Sequence, residues 1–200
     1  MVLASLLLVT SAGGQTRDIP ADLGLWSSAQ VTKSFGKAFV AARAEHRSFE
    51  KMSATECWFL MASGGYRFTP WLTSDLSYEF WEIGGKPYHK AIVCATGTIK
   101  QGNLSAALRE KYELCMSSHS AANSTLRSRL KVQYAVPKSI FKPYIMAEIF
   151  NWESWKRSLY YVGTELAVSK RSSFDLFYMY HLQASGPSIH TLGVGYYLSL

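Results

Sequence analysis

The stretch LRSRLKVQYAV, residues 126–136, alternates apolar and polar side chains almost without interruption. Leu126 and Leu130 fall on one side of an extended chain, and Arg127 and Arg129 fall on the other. A helix, with about 3.6 residues per turn, cannot sort its side chains in this way. The stretch therefore predicts a β-strand with one apolar and one cationic face.

The same alternation continues through the rest of the chain from residue 23 onwards. Most alternating segments are close to the roughly 9 to 11 residues with which a tilted strand crosses a bilayer, and no apolar run approaches the ~20 residues of a spanning helix. The predicted strands, eleven in all, are Leu23–Ser34, Phe39–Phe49, Thr55–Phe68, Leu72–Trp81, Tyr88–Lys100, Leu104–Met116, Leu126–Val136, Pro143–Asn151, Arg157–Val168, Phe174–Gln183 and Ile189–Leu200.

The pattern predicts an all-β fold, an antiparallel up-and-down transmembrane β-barrel of about 10–12 strands. Single-chain bacterial barrels normally have an even number of strands and both termini in the periplasm, so we expect ten or twelve. Short and longer connections alternate, which predicts short periplasmic turns and longer extracellular loops. The short turns are residues 35–37, 69–71, 101–103, 137–141 and 169–172, and the longer loops are 82–87, 117–124 and 151–156.

The N-terminus has features of a secretory signal peptide over residues 1–14. Val2–Val9 is almost wholly apolar, and the small residues Ala12 and Gly14 precede a cleavage point after Gly14. The apolar run is too short to span a membrane as a helix. It lacks a basic segment, which suggests that the true signal starts upstream. Residues 15–200 would then fold as a single barrel domain.

The net charge of +7 comes from residues spread along the chain. No basic tail, zinc-finger spacing or phosphate-binding loop is present, so we predict no nucleic-acid partner. Cys57, Cys94 and Cys115 are too few and too far apart for a disulfide framework or a metal site, and are interpreted as packed thiols. We predict no metal and no cofactor.

Aromatic residues on the apolar face gather near the two ends of the strands, as in the girdles of membrane barrels. Glu110 disagrees with this face, because it lies on the apolar side in mid-strand, where a charge facing lipid is costly. A bulge, a shifted register or a protein contact would remove the disagreement. The predicted girdles are Trp58, Phe80, Tyr160 and Tyr180 near one end and Phe68, Tyr134 and Phe174 near the other.

The last strand carries a short signal of its own. Gly195, Leu198 and Leu200, with Tyr196 on the face of the leucines, resemble the C-terminal signal by which the barrel-assembly machinery accepts outer-membrane proteins. That signal prefers a terminal aromatic residue, whereas this chain ends in leucine. The resemblance predicts location in the bacterial outer membrane, with lipid and lipopolysaccharide around the barrel and the assembly machinery as a transient partner.

The chain after the signal also resembles the bacterial family called domain of unknown function 2490. The resemblance implies an outer-membrane-type barrel and its location, and it implies no catalytic or ligand residues. The motifs that carry it are Gly24-Leu25-Trp26, Arg127-Ser128-Arg129-Leu130 with Tyr134, Pro137-Lys138, Pro143-Tyr144, Ala147-Glu148 and Leu192-Gly193-Val194-Gly195-Tyr196.

The polar face is predicted to fill the lumen with paired charges, because an isolated buried charge is too costly. This favours a non-enzymatic barrel whose interior is mostly filled by side chains and which has a structural or narrow-passage role. The inward residues are Arg43, Glu45, Arg47, Arg67, Asp75, Glu79, Lys90, Lys100, Arg109, Lys111, Glu113, Arg127, Arg129, Lys131, Glu148, Glu165 and Asp175.

Three alternatives remain open. A small channel favouring anions would be lined by Arg109, Lys111, Arg127, Arg129 and Lys131. A soluble periplasmic barrel would show the same alternation, with its apolar side packed on itself. An enzyme acting on outer-membrane lipid would use rim residues, whose candidates are His46, His89 and His190, with Ser188 close to the last.

Overall fold

A computed structural model describes residues 22–117, 120–152, 154–183 and 188–200. All eleven predicted strands are present in it. Within these ranges no helix is long and apolar enough to cross a membrane. The predicted signal peptide, residues 1–14, lies outside the described residues. The strands are β1 Asp22–Phe35, β2 Ala38–Phe49, β3 Ala54–Arg67, β4 Leu72–Ile83, β5 Lys86–Gln101, β6 Leu104–Ser117, β7 Ser120–Tyr134, β8 Phe141–Trp152, β9 Ser154–Leu166, β10 Ser172–Gln183 and β11 Ile189–Ser199.

The eleven strands form one closed barrel in chain order. Neighbouring strands are antiparallel except at the closure, where β1 and β11 run parallel with Trp26 opposite Gly193. Eleven strands lie within the predicted range of about 10–12, whereas the expectation of an even number, ten or twelve, is wrong. An odd number of strands that alternate in direction must close on a parallel pair, and this places Asp22 and Leu200 at opposite ends of the barrel. We call these ends the Asp22 end and the Leu200 end.

The predicted sorting of connections by length is also wrong. The strands continue through the segments 82–87, 117–124 and 151–156, so that only two residues or one separate them there. Gly84 and Gly85, with φ of 57° and 75°, make the tight turn between β4 and β5. Polar residues in these segments belong to strand ends, which is why they resemble loops in the sequence.

Alternate side chains point to opposite faces of the wall, as the sequence predicts. The outward face is apolar, and Leu76, Ile99 and Ile145 are 64%, 73% and 63% exposed. The residues predicted for the two girdles lie near the expected ends of their strands, except Tyr160, which is in the middle of β9. Trp58 lies against Phe80 at a ring distance of 5.5 Å. The other girdle residues are Tyr160, Tyr180, Phe68, Tyr134 and Phe174.

Glycines on the inward face make room for large side chains. Phe177 lies beside Gly163 on β9 and Gly193 on β11. A Cβ added to Gly193 would stand 1.9 Å from the Cζ of Phe177, which a folded chain cannot accommodate without displacing the ring. Six of the buried apolar residues form two clusters inside the barrel, one of Cys57, Phe59 and Trp81 and one of Phe150, Leu159 and Met179.

Candidate functional site

The lumen of the barrel contains a partly open cavity of about 390 Å³. Of the seventeen charged residues predicted to face inward, five lie outside its lining: Lys90, Lys100, Glu113, Lys131 and Glu165. The other twelve line it, seven of them cationic and five carboxylates: Arg43, Arg47, Arg67, Arg109, Lys111, Arg127, Arg129, Glu45, Asp75, Glu79, Glu148 and Asp175.

Arg127 of β7 is the centre of the largest ion-pair network. It contacts Glu113 at 2.6 Å and Glu148 at 2.9 Å, so it joins β6 to β8. Lys111 contacts Glu113 at 2.8 Å and extends the network to Glu79 on β4 at 3.5 Å. Glu79, Glu113 and Glu148 are buried, and each is therefore compensated by a cation.

Smaller groups of charges complete the pairing. Arg43 and Arg47 both contact the buried Glu45 on β2, Arg47 at 2.7 Å. Arg109 contacts Asp75 at 3.3 Å. Lys142 and Glu165 form a 2.7 Å ion pair between β8 and β9 near the Leu200 end. The Glu45 pairs lie within β2, the Arg109–Asp75 pair joins β6 to β4, and the Lys142–Glu165 pair joins neighbouring strands.

Inward aromatic rings gather in the half of the lumen at the Asp22 end. The Arg47 guanidinium lies 3.7 Å from the ring centre of Trp26 and 4.8 Å from that of Trp81. Phe59 stacks on Trp81 at 4.3 Å, and the Lys90 ammonium lies 3.8 Å from the same indole. We call Trp26, Arg47, Phe59, Trp81 and Lys90 the plug. Cations held over aromatic faces are attracted by the ring quadrupole, which stabilises this arrangement.

The sequence interpretation missed these inward rings, because it assigned the lumen to charges alone. A signal was present. Trp81 follows Glu79 by two residues and Phe150 follows Glu148 by two, so each ring shares the face of an inward carboxylate. The Trp81 indole N–H donates to Glu79 at 2.7 Å, and Arg127 lies 4.2 Å from the Phe150 ring centre.

The cavity occupies the part of the lumen between the plug and the Leu200 end. Its lining includes Thr32, Phe39 and Arg67, which lie close to the Leu200 end of their strands. Toward the Asp22 end it stops at the plug, and the buried residues beyond, such as Leu159 and His181, do not line it. The described cavity therefore lies asymmetrically in the lumen, toward the Leu200 end.

Arg129 differs from its neighbours in the cavity wall. It stands directly opposite Arg109 on one side and Glu148 on the other, but none of the ion pairs in the described ranges includes it. The Nε–H groups of Arg43, Arg109 and Arg127 are buried and lack an acceptor. The network is thus incomplete on its cationic side.

Glu110 faces outward. Its carboxylate accepts a 2.7 Å hydrogen bond from Ser128, the residue opposite it on β7. The register between β6 and β7 is regular at this pair, so a bulge or a shifted register does not explain Glu110. Glu110 and Arg129 lie on opposite sides of the wall.

The rim histidines each have a partner other than serine. Tyr178 contacts His190 Nδ1 at 2.5 Å, whereas the Ser188 hydroxyl contacts Tyr180 at 2.9 Å. His89 is paired in the same way with Tyr78, and His46 with Thr55. No hydrogen bond found in the described residues joins Ser188 to His190, so the nucleophile and base that lipid hydrolysis needs are not connected.

Comparison with protein families identifies a family for most of the chain. The model of a family described as "Protein of unknown function (DUF2490)" matches residues 23–189, which include every predicted lumen residue. The resemblance suggested by the sequence motifs is thereby confirmed. A search of curated proteins finds no match to the chain.

Proposed function

The chain belongs to the DUF2490 family, whose function is unknown. From its fold we propose that it is a non-enzymatic outer-membrane barrel whose lumen is closed by its own side chains. The observation that carries the proposal is the inverted distribution of polarity across the closed wall. Apolar side chains face out, whereas the charged side chains face in and pair with one another.

The outward face supports a lipid environment. Val93, in the middle of β5, is 50% exposed and lies beside the exposed Leu76 and Tyr112 on the neighbouring strands. Soluble monomers rarely expose contiguous apolar patches larger than a few hundred Å². A belt of this kind around a closed barrel is what acyl chains would cover.

The ends of the outward face support the same environment. Phe174 contacts Tyr196 at 5.1 Å near the Leu200 end, and Tyr180 contacts His190 at 5.5 Å near the Asp22 end. Rings with one polar edge are favoured where hydrocarbon meets headgroups. Outward rings near both ends of the wall are therefore consistent with two membrane interfaces.

The plug and the Arg127 network support a closed lumen. An ion crossing the barrel would have to displace Arg47 from between Trp26 and Trp81, and would meet Arg127 held by two carboxylates. Separating these pairs without replacing them leaves buried charges uncompensated. The favoured role is therefore structural, and steady conduction is not expected.

Fractionation and electrophysiology test the proposal. The chain, expressed with an export signal in a Gram-negative host, should sediment with outer membranes, require detergent for extraction and migrate faster on gels when unboiled. Planar bilayers containing it should stay silent. Release by osmotic shock without detergent would contradict the membrane location, and stable conductance steps would contradict the closed lumen. Mass spectrometry of lipid A should give the same profile with and without the protein.

A further inference from the structure

We propose that the cavity binds a small water-soluble oxyanion, a phosphate- or carboxylate-bearing solute, against Arg109 and Arg129. The inference goes beyond the proposed function, because it requires the cavity and does not require the membrane. It rests on three features of the described lumen: a like-charge pair, a set of buried donors without acceptors, and enough space.

The like-charge pair is formed by Arg109 and Arg129. They stand directly opposite each other on β6 and β7 and both line the cavity. Like charges in this relation destabilise a sheet. Asp75 compensates Arg109 at 3.3 Å, whereas no ion pair of the described chain compensates Arg129. An oxyanion between the two guanidinium groups would supply the missing negative charge.

Three arginines of the cavity lining, Arg109 among them, present donors that lack acceptors. Arg43 and Arg127 contact carboxylates through their terminal nitrogens, as Arg109 does, but the Nε–H of each of the three is buried and unbonded. Most buried polar groups in proteins have a partner, so several orphans in one cavity call for an explanation. Phosphate and carboxylate oxygens are the acceptors that the planar guanidinium group binds best.

The cavity fits a solute and excludes a membrane lipid. Its volume of about 390 Å³ is at the lower end of the range for small-molecule sites. The closed wall leaves no lateral opening for acyl chains between paired strands. Of the carboxylates in the lining, Asp175 has a buried oxygen without a partner, but it lies on β10, with β8 and β9 between it and Arg129.

Titration of the full chain, refolded in detergent micelles, tests the site. Calorimetry with inorganic phosphate and, separately, with citrate at constant ionic strength should give saturable binding for at least one of them, and the better probe assigns the class of oxyanion. Arg129→Gln should weaken that binding about tenfold or more, because a charged hydrogen bond is lost. Lys100→Gln, which removes an inward cation outside the cavity lining, should leave it unchanged.

The unfolding temperature tests the site independently of calorimetry. Without oxyanions Arg129→Gln should unfold at a higher temperature than the natural chain, because the like-charge pair is relieved. Added phosphate or citrate should stabilise the natural chain and not the variant. Absence of saturable binding for both probes, or equal binding by Arg129→Gln, would overturn the site. Neither measurement depends on where the protein is found in a cell. The binding site would therefore remain supported even if the proposed membrane location were wrong.

Discussion

The two faces of β7 are opposite in polarity and in exposure. Leu126 is exposed on the outside of the wall, while its neighbour Arg127 is enclosed and held between two carboxylates. In water the reverse arrangement would be the stable one. Ion pairs within the barrel compensate most of its inward carboxylates, and the contrast between the faces is our reason for proposing that the outer face lies in lipid.

Substitution of Arg127 on the inward face should lower the free energy of unfolding more than the other substitutions below. Arg127→Met leaves Glu113 and Glu148 buried without their strongest partner, and we expect a loss of about 3–5 kcal/mol in the free energy of unfolding. Lys131→Met is the matched control, since Lys131 contacts the Tyr144 ring and should cost about 1 kcal/mol or less.

Denaturant titration of the refolded proteins measures both losses. Adding Glu113→Gln and Glu148→Gln to Arg127→Met should recover part of the stability. If Arg127→Met and Lys131→Met cost the same, the network does not support the fold.

A cation placed on the outward face should lower the free energy of unfolding by an amount that depends on its depth in the bilayer. Val93→Arg, in the middle of β5, should cost about 2–4 kcal/mol in bilayers, and Ile99→Arg, near the Leu200 end of the same strand, about 1 kcal/mol or less. Equilibrium unfolding in lipid vesicles measures the two variants side by side. Equal and negligible costs would indicate that this face meets water.

Replacement of Glu110 should sharpen the contrast between the faces. Glu110→Leu removes the mid-wall carboxylate and its bond to Ser128, and we expect the protein in bilayers to gain about 1 kcal/mol. Ser128→Ala serves as the control for the lost hydrogen bond alone. A marked loss of stability or a change of oligomeric state would mean that Glu110 contacts protein.

Structural features that depend only on neighbouring residues in the chain could be predicted from the sequence. A period of two separates Leu126 from Arg127 whatever the strand pairs with, so the strands and their faces could be predicted. The parallel closure of β1 on β11 and the isolation of Arg129 both depend on the register between distant strands, and nothing local encodes it. The inward position of Trp81 could have been found, because it shares the parity of Glu79.

Spin labelling of the wall tests most directly whether the outer face meets lipid. A nitroxide at Val93→Cys, in a chain whose three natural cysteines are replaced by alanine, would be reconstituted in vesicles, with Lys37→Cys in a turn as the water-exposed reference. A lipid-facing wall predicts that the Val93 label is relaxed strongly by oxygen and weakly by a water-soluble nickel chelate. A Val93 label as accessible to the chelate as the Lys37 label would contradict it.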